Sequence, residues 1–448
     1  MEKEKLFYIP AEPAQHESET ARSHGIGEPL ADHEGEPFLS DRERKFNRIS
    51  RDHCRSLEER NISSGIIWSY RHGKYDILYG SKSIKGQPTN GSDIKLTEDS
   101  NYINGYRADG LFDKTYVNTV MAASKFMNEH GLPTEFVREV RNLKGIKIDG
   151  KMADMENIKT ILIKEYEEEL KLSEPDENER QKKLDASTAY LKSADFSIIE
   201  RDTQVNERVQ DLSLADEANF RKIVAKVFKW VNQRNRLEEE NKKLPAKKRK
   251  KYSAIGNIPA LQLDPKKIEH VEYYFKYYLP NQMGQYLGIF HRLKLIHKFP
   301  TSHNWSLTGQ LYDLDSVRGP SLLNPSKEDQ YEDIETSTNV LANLFLGDLL
   351  DEEHKNREIS YEDLTPLQKR IIALSKIEDN KENINRDYII AALKKAAVCA
   401  QADFWGAYRA VRHDLATEKD KSRFHYEFIE YADQRHEKKI ITNDGRPS

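Results

Sequence analysis

"HKFPTSHNWSLTGQLYDLDSVRG", residues 297–319, is the stretch on which the reading of the chain turns. It sets two histidines, an asparagine and two aspartates around a short, mainly apolar run. Asn304 and Asp313 stand nine apart, and "WSLTGQLY" between them alternates about a glycine. That pattern predicts a two-stranded ribbon. Such a ribbon returns the chain, so that an amide oxygen and a carboxylate meet at one end. Mg²⁺ takes hard oxygen ligands and completes its shell with phosphates and water. Asn304 and Asp313 therefore read as the metal pair of a kinase-like catalytic loop. The same residues also read as an Asx-rich turn in which each side chain bonds its own backbone.

Around this loop lies a well-solvated chain of 448 residues, 33% charged and 37% hydrophobic, with mean hydropathy −0.82 and net charge −4. A chain so balanced presents no broad basic surface, which argues against nucleic acid as a partner. Cys54 and Cys399 form neither a metal spacing nor a disulfide framework, as suits a reducing compartment. The first residues hold no apolar signal core, and no run approaches the roughly 20 apolar residues of a membrane span. The expectation is a cytoplasmic protein with no membrane partner. Its length allows two or three domains, or one large two-lobed one.

Residues 1–55 are polar, with Pro, Gly and acidic residues, and read as an N-terminal arm. Residues 56–150 read as a small β-containing lobe. "SGIIWSY" and "KYDILYG" are strands about the turn "RHGK", and "GSKSIKGQPTNGSD" is loop-like. From Lys114 to His130 the positions Val117, Val120, Met121, Ser124 and Met127 keep helical spacing, and Gly131 and Pro133 end the helix. "FVREVRNLKGIKIDG" is one strand or two. Residues 151–255 are mostly helical around a β segment "DFSIIER". They end in "KKLPAKKRKKY", seven basic residues in eleven, read as a solvated loop in preference to a phosphate or nucleic-acid site. Residues 256–448 form a larger helical part with 297–319 as its polar loop. The fold class expected is α+β, protein-kinase-like and bilobal, with a small β-containing N-lobe and a larger helical C-lobe.

The loop resembles the catalytic loop of the selenoprotein O family, protein-kinase-like AMP-transferases. His297 stands seven before Asn304 and Asp313 nine after it, the family's spacing of His, metal Asn and metal Asp. Asp109-Gly110 and Gly131-Leu132-Pro133-Thr134 match the two ends of the family segment that joins its Gly-rich loop to an αC-like helix. "YGSKSIKG" resembles its nucleotide-binding turn. "IIERDTQVNERVQDL" resembles the segment with two nucleotide-binding arginines, spaced seven apart as Arg201 and Arg208 are here. The matches lie in blocks between about residues 65 and 320.

The resemblance implies an ATP-dependent transferase. Mg²⁺ or Mn²⁺ would sit on Asn304 and Asp313, and Lys82, Lys85, Arg201 and Arg208 would meet the phosphates. The family holds ATP flipped, so that AMP passes to a hydroxyl of a protein or peptide acceptor. This sequence departs from the pattern at three places. The turn lysine falls at Tyr79, which leaves Lys82 or Lys85 to replace it. The αC glutamate falls at Val120, and the Asp before the metal Asn is His303. An imidazole accepts a proton at neutral pH. His303 is thus the catalytic candidate, with Asp315 as an alternative base or a second metal ligand. His303 also reads as a loop histidine bonded to backbone, His297 as structural and bonding a carbonyl, and His291 as a helix residue. Loss of the Lys–Glu pair keeps a second class open, a non-catalytic nucleotide-binding pseudokinase or an ordinary phosphotransferase. A helical scaffold with chance matches is the third.

Overall fold

β-branched and aromatic runs form the strands, and runs of helical periodicity the helices. The computed structural model describes residues 31–33, 66–71, 74–79, 82–88, 95–98, 105–109, 111–148, 151–202, 205, 207–248, 262–319, 326–350, 359–379 and 384–412. The expected arm 1–55 (apart from 31–33), Cys54, Gly110 and residues 249–252 of the basic run lie outside them. The strands are β1 (Ala31–His33), β2 (Ile66–Arg71), β3 (Lys74–Tyr79), β4 (Lys82–Pro88), β5 (Lys95–Glu98), β6 (Tyr106–Asp109), β7 (Phe136–Ile148), β8 (Lys151–Asp154) and β9 (Ser197–Asp202).

The larger sheet runs β1-β7-β9-β4-β3-β2, with β8 also on β7, and every pairing in it is antiparallel. β2 and β3 are the expected hairpin, registered through Ile67↔Leu78 and Tyr70↔Tyr75. The segment read as a loop, "GSKSIKGQPTNGSD", instead contains β4. That strand has partners on both edges, Leu78↔Ser83 from β3 and Ser83↔Arg201 from β9. Pairing on two sides satisfies its backbone and overrides a weak local preference. β5 and β6 form a separate two-stranded ribbon.

The helices are α1 (Lys114–Glu129), α2 (Met155–Ser173), α3 (Glu177–Ser193), α4 (Val209–Leu214), α5 (Glu217–Lys243), α6 (Ile268–Tyr273), α7 (Leu279–Arg292), α8 (Lys327–Leu346), α9 (Pro366–Asp379) and α10 (Arg386–Val411). α1 buries Val117, Val120, Ser124 and Met127 as the spacing predicts, while Met121 lies at the edge of that stripe, 44% exposed. Gly131, at φ +77°, follows its end. On α2 the stripe Ile158, Leu162, Tyr166 and Leu170 is buried, and the Asp154 side chain caps its first turn by accepting the Asn157 N–H. Asp176 caps α3 in the same way. These two helices share a core with Leu96 and Tyr106 of the β5–β6 ribbon and with Leu143 of β7.

α6 and α7 are joined by a π-helical stretch, Tyr274–Tyr278, so that the helix runs on through Pro280. Proline clashes with the carbonyl four residues before it and gives it no N–H. A widened turn over those residues accommodates the ring. α7 and α10 approach so closely at Gly284 that a Cβ there would lie 2.1 Å from the Phe404 carbonyl oxygen.

The chain divides into two compact units. The described residues of Pro10–Ser124 and Glu135–Asn206 make one, and those of Lys125–Thr134 and Glu207–Ser448 the other. The first holds the sheets with α2 and α3; the second is helical around the 297–319 loop. This is an α+β chain, mostly helical. No helix among the described residues is long and apolar enough to cross a membrane.

Candidate functional site

The expected ribbon is present. Ser306 N–H donates to the Gln310 carbonyl (2.9 Å), Tyr312 N–H donates to the Asn304 carbonyl (2.9 Å), and Trp305 bridges to Leu311. Gly309 makes the turn at φ +76°, and a Cβ there would lie 2.7 Å from the Gln282 Cβ on α7. A bridging segment just ahead of α4, which the sequence reading missed, lies against the ribbon. Leu307 N–H donates to the Glu207 carbonyl (2.9 Å), Val209 N–H to the Trp305 carbonyl (3.0 Å), and Arg208 bridges to Ser306. Trp305, Leu307, Leu311 and Tyr312 are fully buried. The Tyr274 hydroxyl donates to the Leu307 carbonyl (2.5 Å) and the Thr134 hydroxyl to that of Leu311 (2.8 Å).

At the open end of the ribbon Asn304 stands opposite Tyr312, and Asp313 follows Tyr312 in the chain. Asn304 is buried. Its Nδ2 donates to the Phe299 carbonyl (2.7 Å), and its Oδ1 has no hydrogen-bond partner among the described residues. A buried amide oxygen left without a donor is costly, on the order of 1–3 kcal/mol. Asp313, half-buried, sits at φ +64°, in the left-handed region. It opens a 3₁₀ turn, Leu314–Ser316, that carries the half-buried Asp315. Non-glycine residues with positive φ among the described ones are Lys294, three residues before the 297–319 loop, and Lys298 and Asp313 within it. Backbone strain of this kind collects where geometry is held for function.

Two histidines behind the loop hold it in place. His297 Nε2–H donates to the Tyr312 carbonyl (2.9 Å), and its Nδ1 lies 3.3 Å from the Ser316 hydroxyl. This is the structural role expected of it. Asp333 on α8, fully buried, accepts the N–H groups of His297 (2.7 Å) and Lys298 (2.8 Å). His291 is more than a helix residue. Its Nε2 lies 3.2 Å from Asp333 Oδ2 and its Nδ1 2.8 Å from the Tyr408 hydroxyl. Burial holds the His291 imidazole below its ordinary pKa. Lys298 Nζ pairs with Asp329 and lowers that carboxyl. Asp333 escaped the sequence reading, yet it shares the buried face of α8 with Ser337, Val340 and Leu341. A lone acid on an otherwise core-facing stripe was the available signal.

Of the remaining predicted residues, His303 is half-buried, with Nε2 3.0 Å from the Thr301 hydroxyl. Arg208 is 2% exposed. Its guanidinium donates to the His303 carbonyl (3.0 Å) and lies 4.4 Å from the centre of the Tyr312 ring. It therefore touches the chain neighbours of both Asn304 and Asp313. Arg201 lies on β9 and Lys82 and Lys85 on β4, in the other unit, with side chains outside the described residues. In the kinase loop H-R-D-x-x-x-x-N an Asp stands five before the Asn; here that position is Phe299, 41% exposed.

Among the described residues no group of three or more His, Cys, Asp or Glu gathers to hold a metal ion. One amide oxygen and one carboxylate nonetheless fit Mg²⁺, which needs only one or two protein groups when phosphates and water supply the rest. Asn304 Oδ1, an acceptor without a donor, is the atom that such an ion would satisfy. Comparison with protein-family models, curated proteins and solved structures finds no match to the chain.

Proposed function

We propose that this chain is a kinase-like, bilobal ATP-dependent transferase, in which Asn304 and Asp313 hold Mg²⁺ or Mn²⁺ and AMP moves from ATP to a hydroxyl of a protein or peptide. The observation that carries the reading is Asn304 Oδ1, buried and without a donor among the described residues, in a ribbon whose far arm ends at Asp313 in a positive-φ conformation. A bound divalent ion would neutralise phosphate charge. The chain's own residues do the rest. Asn304 and Asp313 would hold the metal that orients the phosphates, and the cations the resemblance brings to them are Arg201, Arg208 and a loop lysine, Lys82 or Lys85. His303, oriented by the Thr301 hydroxyl, takes the proton of the acceptor. The acceptor oxygen bonds to the α-phosphorus, the bond from that phosphorus to its bridging oxygen breaks, and pyrophosphate leaves. Asp315, two residues from Asp313, is the alternative proton acceptor.

Phe299 favours a second reading. With an apolar side chain where the kinase loop carries its acid, the site would bind nucleotide without transferring any part of it.

Incubation with α- and γ-labelled ATP separates the readings. Label from α-³²P-ATP on an acceptor, lost in Asp313→Ala and reduced far more than ATP affinity in His303→Ala, supports nucleotidyl transfer. Label only from γ-³²P-ATP makes the protein an ordinary phosphotransferase. Tight, metal-dependent ATP binding with no transfer supports the pseudokinase reading. ATP binding in Asn304→Ala and Asp313→Ala at the parent's affinity and metal dependence would remove the metal assignment.

A further inference from the structure

We propose that Arg208 is a positioning residue, one that holds Asn304 and Asp313 in register from behind the ribbon and does not itself touch the nucleotide. The inference rests on the metal and nucleotide reading of the same loop and gives Arg208 a role other than the phosphate contact that the resemblance implies.

A guanidinium that binds phosphate must present its fork to a group arriving from solvent. Arg208 is 2% exposed, and its guanidinium has partners in the loop itself. One guanidinium nitrogen bonds the His303 carbonyl at 3.0 Å, while the guanidinium carbon lies 4.4 Å from the Tyr312 ring centre. His303 immediately precedes Asn304, and Tyr312 immediately precedes Asp313. One side chain thus grips both arms of the ribbon at the end where the two ligands emerge.

The backbone reinforces the grip. Arg208 bridges to Ser306, and its neighbours Glu207 and Val209 bond Leu307 and Trp305. Arg208 is therefore a fixed part of the small sheet. Lysine in its place keeps the charge but has neither the planar face for Tyr312 nor a forked donor set. The same grip is removed from the other side by Tyr312→Leu, which leaves the arginine in place.

The test measures ATP affinity of the full chain in EDTA and in Mg²⁺, for the parent, Arg208→Lys, Tyr312→Leu, Asn304→Ala and the double variant Arg208→Lys/Asn304→Ala. Thermal melts establish that each is folded, and amide hydrogen exchange is read at Tyr312, whose N–H bonds the Asn304 carbonyl. The expected result is an EDTA affinity within about twofold of the parent for Arg208→Lys and Tyr312→Leu. The gain in affinity on adding Mg²⁺ falls about tenfold or more in Arg208→Lys and Tyr312→Leu, and the double variant is no worse than Asn304→Ala. Exchange at Tyr312 rises in Arg208→Lys.

A tenfold loss in EDTA for Arg208→Lys would mean that the guanidinium touches phosphate, and the proposal falls. It falls as well if Arg208→Lys keeps the parent's Mg²⁺ gain, or if exchange at Tyr312 is unchanged. A parent with no Mg²⁺ gain, but with faster Tyr312 exchange in Arg208→Lys, keeps the positioning role and overturns the metal reading instead.

Discussion

Asp333 has all its described carboxylate contacts with the protein: two backbone N–H groups and an imidazole. Lys298 bonds it from a positive-φ conformation (+69°), so the carboxylate and the strained backbone define one another. Replacing it by alanine takes this acceptor from the buried His297 N–H, the part-buried Lys298 N–H and the buried His291 imidazole. Asp333→Ala should cost about 3–5 kcal/mol of stability, the range for breaking a buried charged network. Urea unfolding measures the loss, and Asp333→Asn, which retains one acceptor oxygen, should fall between it and the parent. Nothing local in the sequence marks this aspartate among the other acids of α8; only its place on the buried face does. The ribbon between Asn304 and Asp313, by contrast, was legible, because a glycine-centred alternation is a short-range signal.

Among the elements, α5 and α9 are joined by an ion pair at their first turns. Glu217 accepts two bonds from Arg370 (2.6 and 3.0 Å), and the Arg370 guanidinium also lies 4.6 Å from the Phe220 ring centre. The Arg370 bonds, with Arg221 adding to them, hold the Glu217 carboxyl at about 2 against an ordinary 4.5. Between those values the unfolded chain takes up a proton that the folded chain refuses. The pair's stabilisation is therefore complete above about pH 4.5 and lost as pH falls toward 2. Glu217 is 47% exposed and screened by solvent, so the effect is small, about 0.5–1 kcal/mol. Urea midpoints at pH 3 and pH 7 should differ less in Glu217→Gln than in the parent, and an equal difference would remove the assignment.

The helices of this chain were legible because each keeps its own periodicity for many residues. β4 was not, since its strand character comes from β3 and from β9, far along the sequence. The bridge at Arg208 was invisible for the same reason: it is a single residue ahead of α4, and the partners of Glu207–Val209 lie at 305–307.

At the scale of the whole molecule, the two units interleave along the sequence. α1 begins in one and ends in the other, the boundary falling between Ser124 and Lys125, and Lys125–Thr134 belongs with Glu207–Ser448. Met127 and Leu132 in that short piece are fully buried. A fragment of residues 207–448 lacks both. It should be less stable than the same fragment supplied with a 114–134 peptide by about 3–6 kcal/mol, the worth of two fully buried large apolar side chains. Tryptophan fluorescence during urea unfolding measures this, and an equal midpoint with and without the peptide would contradict it. Domain boundaries drawn by composition could not find this arrangement, because composition varies smoothly where the chain passes between units.

The bond from Thr134 to the Leu311 carbonyl spans 177 residues. On a ribosome adding 5–20 residues each second, Thr134 emerges about 9–35 s before its partner exists. Met127 and Leu132 emerge alongside it, apolar and without the rest of their unit. The nascent chain therefore carries an unprotected greasy segment while those 177 residues are made. Newly made protein should need chaperone cover over that interval, and slowed translation between 134 and 311 should raise the aggregated fraction more than the same slowing after residue 311.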